Sequence, residues 1–415
     1  MRLHPFRALR PTPALAAQVA AVPYDVVSRA EAAALAEGNP RSFLHVGRSD
    51  IDLPPDTDPH DARVYAAARE ALDRFAAEGV LVRDAAPALF VYRQVMDGRA
   101  QTGIVGCVHI DDYERDVIRK HERTRKDKED DRTRHVLTLN ANAEPVFLTY
   151  RPVPEIAALM RTATTGAPLY DFAAPDGVRH TVWRVADPAP WVREFARVPL
   201  AYVADGHHRS ASAWRAGRER RAADVRASGG APGSESAAEY EWFLAALFPS
   251  DELRILPYNR LVRDLNGLSP DAFRGRLRAL GQLAPAESPE PGAPGSFCFF
   301  FDGRWERLTL DPKSIDRADP IASLDVSLLQ DRVLGPILGI TDPRTDPRID
   351  FVGGIRGTAE LEHRVRSGEM ALAVSSLATT LEQLMAVADA GAVMPPKSTW
   401  FEPKLRSGLF VHELG

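Results

Sequence analysis

Cysteine is nearly absent. Cys107 and Cys298 are the two in 415 residues, far apart and each inside an apparent strand. That pattern excludes a disulfide framework and a Cys-based zinc site, and a reducing cytoplasm is the expected compartment. No apolar run approaches the roughly 20 residues that span a bilayer. The Ala-dominated stretch Ala14 to Val22, broken by Gln18, is a poor secretory core. A basic excess is missing too: the net charge is -5 and the pI about 6.2. This argues against general binding to DNA or RNA but leaves room for a local cationic pocket. The sequence also lacks a Gly-x-x-x-x-Gly-Lys-Ser/Thr loop, a Gly-x-Gly-x-x-Gly after a strand, the protein-kinase signatures and a Gly-x-Ser-x-Gly elbow. No internal repeat of fixed period is present.

What remains is ordinary globular material, 45% apolar and 26% charged. A chain of this length is expected to form two or more packed units. We read an N-terminal α+β half over 1–150 and a C-terminal α+β half over 151–415. Ser28-Arg29-Ala30-Glu31 is a capping-box pattern closed by Gly38. Ser42 to Val46 reads as a strand, and about Asp61 to Glu78 as a long helix. Leu89–Met96 and Gln101–Ile110 flank Asp97-Gly98, and Phe297–Phe301 and Trp305–Leu310 flank Asp302-Gly303; both are hairpin signals. Ala227–Ala238 and Ala284–Ser296 read as surface loops by composition. Asp325–Ile340 and Leu381–Ala390 carry helical spacing. Mixed strands and helices with hairpins indicate an α+β fold, with mixed sheets, and not a regular parallel alternation.

The most informative residues are Asp205-Gly206-His207-His208-Arg209. They follow the apolar run Leu200–Ala204 and precede an Ala/Ser-rich stretch that should begin a helix. A strand that turns at Gly and opens a helix presents free N–H groups, which suit phosphate. Arg209, His207 and His208 add donors, and Asp205 can hold a metal or take a proton. Adjacent histidines seldom point at one metal, so zinc is disfavoured and the metal is left open.

Three further stretches have both a bland and a functional reading. Arg115–Arg134 holds nine Lys/Arg and six Asp/Glu. It is either a salt-bridged helix face or a cationic flap in which Lys120, Arg123, Lys126, Lys128 and Arg132 close over a nucleotide. Its acids could then hold Mg²⁺ with phosphate oxygens, and Asn140, Asn142 and Glu144 add polar groups downstream. Met394–Lys404 is too rich in aromatics and prolines for a free tail and is read as docked. Lys397, Ser398, Thr399 and Lys404 either complete an anion site or simply close the core. Tyr24 and Asp25, ahead of the capped helix, either line a substrate pocket or fix a turn.

Tyr24-Asp25-Val26-Val27-Ser28, Asn39–Val46, Arg119–Arg132, Ala204–Arg209 and Met394–Lys404 together resemble the domain-of-unknown-function family 1015 over nearly the whole chain. Locally, Asp205–Arg209 is similar to the turn of the ParB/sulfiredoxin-like free serine kinases. That likeness implies a ParB-like pocket in which the turn lies against nucleotide phosphates, with ATP or another nucleotide as donor. It carries over Asp205 to Arg209 and no general base, for which Asp25, Glu31 and Glu122 are candidates. The expected activity is phosphotransfer from a nucleotide to a small hydroxylated metabolite, free L-serine foremost, in a cytoplasmic enzyme of serine metabolism. The alternatives are a phosphatase acting on a small phosphomonoester and a ParB-like nucleotide switch that closes a homodimer without turnover.

Overall fold

The structure is a computed structural model that describes residues 1–227 and 238–415. The loop read at Ala227–Ala238 therefore lies almost wholly outside the described residues. The chain divides into two compact units, Met1–Leu253 with Pro403–Gly415, and Arg254–Glu402. Residue 150, where the two halves were expected to meet, lies inside the first unit. The strand that ends there, Val146–Tyr150, pairs antiparallel with Ala201–Asp205.

The first unit is built on a nine-stranded mixed sheet. Its order is Ile118–Arg119, Ala201–Asp205, Val146–Tyr150, Trp242–Pro249, Arg99–His109, Phe90–Met96, Arg179–Arg184 and Tyr170–Ala173, with Leu3–His4 also pairing on Arg99–His109. Asp97 and Gly98, at φ 53° and 76°, make the hairpin turn that needs positive φ at both positions. Val146–Tyr150 is buried along its whole length, as expected of a strand covered on both faces. Val91, Ile104, Leu148, Val203 and Leu247 form the core of this sheet.

A second apolar cluster in the same unit lies under helices. Helix Ala62–Ala77 starts at Asp61, whose side chain accepts from the Arg63 N–H, and buries Val64, Ala68, Leu72 and Phe75 along one face. The Ser28–Glu31 capping box is formed and opens helix Arg29–Ala36. Ser42–Val46, expected as a strand, is instead a helical turn at Leu44–Gly47. Phe43 and Val46 are both fully buried. Residues three apart share a helical face, whereas a strand would point them to opposite sides.

The second unit carries a six-stranded antiparallel sheet. Its order is Gly281–Pro285, Arg304–Leu310, Ser296–Phe301, Leu372–Ser375, Tyr258–Val262 and Ile349–Gly353. Its hairpin turns at Asp302-Gly303 (φ 50° and 77°). Phe273, Phe297, Phe299, Phe301 and Leu308 fill its core. Leu381–Asp389 is helical and begins with a Thr380/Gln383 capping box. Asp325–Ile340 is not one helix: after Asp325–Leu329 the backbone widens into a π turn at Gln330–Leu334. There the Gly335 N–H donates to the Gln330 carbonyl at 2.9 Å, and Pro336 has no N–H to continue the ladder. Cys107 and Cys298 are buried and unpaired, each in a strand. Among the described residues no helix is long and apolar enough to cross a membrane.

Candidate functional site

The Asp205 corner comes from an irregularity in the sheet. Pairing steps from Val203 opposite Leu148 to Asp205 opposite Phe147, which leaves Ala204 as an extra residue. Such a bulge bends a strand and re-aims the side chain that follows. Gly206 then sits at φ +92°, and a Cβ there would lie 3.0 Å from Arg209 Nε and 3.1 Å from Cζ. Helix His207–Ala227 starts at once, the Ser210 N–H donating to the Gly206 carbonyl at 2.9 Å. The N–H groups of His207, His208 and Arg209 thus have no acceptor within the helix.

Around this corner the charges are closely matched. Lys404 Nζ lies 3.0 Å from Asp205 Oδ2, and Arg209 Nη2 lies 3.6 Å from Asp205 Oδ1. Burial pushes the Asp205 carboxyl up, but Lys404 and Arg209 outweigh it and hold the group well below the ordinary carboxylate range. Arg209 is itself buried. It donates through Nη1 to the Pro145 carbonyl at 2.6 Å and through Nη2 to Asp25 Oδ2 at 3.5 Å. Its Nε–H is buried with no acceptor among the described residues. Burial alone would lower its pKa, yet Asp25, Asp205 and Glu144 more than compensate, so the guanidinium stays charged.

Both imidazoles are held neutral. Burial, reinforced by the neighbouring His121, keeps His207 well below its ordinary value. The His121 ring meets that of His207 edge-on at 4.4 Å, and burial lowers His121 to about 4. His207 Nδ1 is 3.8 Å from Glu122 Oε2, too long for a hydrogen bond, and its Nε2 is buried without a partner among the described residues. His208 is lowered by burial as well. Its Nε2 accepts from the Arg125 N–H at 3.1 Å, which places the ring proton on Nδ1.

Of the residues singled out in the sequence, Asp205–Arg209, Tyr24, Asp25 and Lys404 meet at this corner. Tyr24 donates its N–H to Glu144 Oε1 at 3.4 Å and carries the Arg132 guanidinium 4.3 Å above its ring. The charged run faces the corner through His121, Glu122 and Arg125. From Lys126 to Leu139 it is a helix tied to the Asp205–Arg209 helix by Arg215, which pairs with Glu129 and Asp130. Three of the five cations expected to close over a nucleotide are already paired within the run: Lys120 with Asp116, Lys126 with Asp130, and Arg132 with Asp131. Arg123 and Lys128 are exposed. Glu31 is engaged in its capping box. Lys397, Ser398 and Thr399 belong to the second unit, where the Ser398 hydroxyl donates to the Pro395 carbonyl at 2.6 Å.

Glu144 has a larger part here than its sequence context suggested. Its Oε1 accepts from the Tyr24 N–H and from the Ser407 hydroxyl at 3.1 Å, and removal from water pushes its carboxyl up. Gly47 lies close beside it: a Cβ there would be 2.9 Å from Oε1, so a larger residue would make the carboxylate shift. Glu144, Arg132, Arg209 and Ser212 line a cavity of about 30 Å³, room for a water molecule and not for a nucleotide. His121 was equally silent in the sequence, where nothing distinguished it from its charged neighbours. No group of three or more His, Cys, Asp or Glu side chains converges on a metal position among the described residues.

A family model described as "Protein of unknown function (DUF1015)" matches residues 3–327. No curated protein matches the chain. Among solved structures the chain is similar to a conserved hypothetical protein from Pyrococcus furiosus, at 13% identity over 74% of this chain and 94% of that one, TM-score 0.35. It is similar to a free serine kinase in complex with AMP, at 13% identity over 74% and 91%, TM-score 0.35. SbnI with C-terminal truncation from Staphylococcus aureus matches at 12% identity over 74% and 86%, TM-score 0.38.

Proposed function

We propose that this chain, which belongs to the DUF1015 family, is a phosphotransferase. Its corner at residues 205–209 would move a phosphoryl group from a nucleotide to a small hydroxylated metabolite, with free L-serine as the leading acceptor. The observation that carries this reading is the unsatisfied Arg209 Nε–H, buried against Gly206 at the open end of a 21-residue helix. A buried guanidinium with an idle donor is costly unless an acceptor arrives.

In this reading the N–H groups of His207 and His208 take phosphate oxygens, favoured by the helix dipole. The His208 Nδ1–H donates to the bridging oxygen. Arg209 sits behind the turn, holds Asp25, Asp205 and the Pro145 carbonyl in place, and offers its idle Nε–H to a phosphate oxygen. Asp205, kept ionised by Lys404 and Arg209, is suited to a metal and poorly suited to accepting a proton. Asp25, whose side chain is 32% exposed, orients the acceptor hydroxyl. With two carboxylates and no third ligand among the described residues, the corner fits Mg²⁺, which commonly takes one or two carboxylates plus phosphate oxygens. Bound there, Mg²⁺ would neutralise charge on the transferring phosphoryl group. The corner is covered by His121 and Arg125, so entry of a nucleotide requires the segment around residues 121–125 to lift.

The test is incubation of the full-length protein with ATP, Mg²⁺ and hydroxy amino acids, followed by mass analysis. Asp25→Asn is expected to cut turnover about 10²-fold or more while keeping the nucleotide-dependent rise in melting temperature. Full turnover in Asp25→Asn removes that residue from the mechanism. Free phosphate released from ATP, with no phosphoester formed, would make water the acceptor and the protein a nucleotide hydrolase. A phosphatase would instead release phosphate from a small phosphomonoester supplied without ATP. Tight binding with neither product would make it a nucleotide-gated switch.

A further inference from the structure

The second unit contains two deeply buried arginines with opposite surroundings. Arg274, 5% exposed at its side chain, pairs with Asp271, Asp302 and Glu306. Arg260, 4% exposed and in the middle of strand Tyr258–Val262, pairs with no carboxylate among the described residues. Its guanidinium donates to the backbone carbonyls of Tyr258 and Lys397, the second at 3.0 Å, and lies 5.3 Å over the Phe351 ring. Carbonyl dipoles and an aromatic face orient a guanidinium but do not neutralise it, and a buried charge without a counter-ion is strongly unfavourable.

Lys397 adds a second cation. It is exposed, at φ +57°, and its Nζ is 5.5 Å from the centre of the Tyr258 ring. The conformation is costly for a lysine, and such backbone strain gathers at ligand sites. It is held by the Arg260 bond to its carbonyl, by the Ser398 hydroxyl on Pro395, and by the Thr379 hydroxyl on the Ser398 carbonyl at 3.0 Å. Lys397 also lacks a carboxylate partner among the described residues. Trp400 walls the spot edge-on to Tyr258 at 5.1 Å and packs so close to Gly353 that a Cβ there would lie 2.7 Å from its ring.

We infer that Arg260 and Lys397 form an anion site of the second unit, taking a phosphate-type oxyanion that supplies the missing negative charge. A tetrahedral dianion matches two cations carrying several N–H donors better than a single carboxylate does. Burial lowers the Arg260 pKa to about 10, which leaves the group charged at neutral pH and in need of that partner.

The test uses the full-length protein, inorganic phosphate as the probe and no Mg²⁺, read by equilibrium dialysis and by the phosphate-dependent shift in melting temperature. Lys397→Asn removes the charge and keeps a residue that tolerates left-handed backbone. It is expected to bind phosphate about tenfold more weakly or worse, the worth of one charge-assisted contact, with an unchanged melting temperature in phosphate-free buffer. Arg260→Met is expected to lower the phosphate-dependent shift at least as much as Lys397→Asn does, whatever remains belonging to the helix start at His207. Asp25→Asn, in the first unit, should leave it intact. Malonate should not compete; competition by malonate at equal strength would overturn the phosphate assignment. Wild-type phosphate affinity in Lys397→Asn would overturn the site itself, whether or not Arg260→Met folds.

Discussion

Gly206→Ala tests the geometry of the corner with the smallest possible change. A non-glycine residue held at a left-handed φ costs about 1–3 kcal/mol. The new methyl group also meets Arg209 Nε at 3.0 Å and Cζ at 3.1 Å, so the guanidinium must retreat by a few tenths of an ångström. That retreat weakens its 2.6 Å bond to the Pro145 carbonyl, a loss of about 1 kcal/mol out of the about 1.5–3 kcal/mol of a charged hydrogen bond. The sum is about 2–4 kcal/mol. Hydrogen exchange across residues 201–212 is the suitable assay, because it reads local opening in a chain of two units. The double variant Gly206→Ala/Arg209→Met should be about 1 kcal/mol less destabilised than the two single changes added together, since the clash has lost its partner. Strict additivity, or Gly206→Ala indistinguishable from wild type, would refute the close approach on which the site reading is built.

Lys404→Met should release Asp205 towards an ordinary carboxylate. The Asp205 pKa is depressed in the folded chain, so its stabilisation is present above the unfolded carboxylate range and is lost as pH falls towards the folded value. We therefore expect Lys404→Met to cost about 2–3 kcal/mol at neutral pH, less than a fully buried pair because Asp205 is a quarter exposed, and to flatten the acid limb of melting temperature against pH. Parallel acid limbs in the two proteins would contradict this. His45 gives the opposite sign. Its Nδ1 lies 2.8 Å from Asp52 and its Nε2 3.2 Å from the Asn39 carbonyl, and the Asp52 bond above all raises its pKa. That stabilisation is complete below the unfolded value of about 6.5 and fades as pH rises through the folded one. The wild-type melting temperature should fall more between pH 6 and 8 than that of His45→Gln, and equal slopes would sink the prediction.

Much of the scaffold could be read from local signals. Asp97-Gly98 and Asp302-Gly303 are bounded by apolar alternation, and both form the hairpins that this chemistry favours. Ser28–Glu31 and Asp61 cap helices because their side chains reach orphan N–H groups within the same few residues. The errors arise where tertiary packing overrides a short pattern. Phe43-Leu44-His45-Val46 has strand composition, yet burying Phe43 and Val46 together requires a helical turn. The run from Asp325 has helical spacing, yet Pro336 and the Gly335–Gln330 bond break it.

The site divides in the same way. Asp205–Arg209 is legible because a strand, a glycine and a helix start are contiguous in sequence. Glu144, His121 and Gly47 gain meaning only through contacts across more than 80 residues, which no spacing rule reports. The Met394–Lys404 stretch was read as one segment, but the boundary at Glu402/Pro403 parts it: Lys404 joins Asp205, while Lys397 stands beside Arg260.

The central claim is that the corner at Gly206 receives nucleotide phosphate and passes a phosphoryl group on. Phosphorus-31 NMR of the full-length protein with ATP, Mg²⁺ and free L-serine tests it most directly. The account predicts a new phosphomonoester resonance that grows with time and disappears in Asp25→Asn. An unchanged ATP spectrum, with no nucleotide-dependent shift in melting temperature, would contradict it.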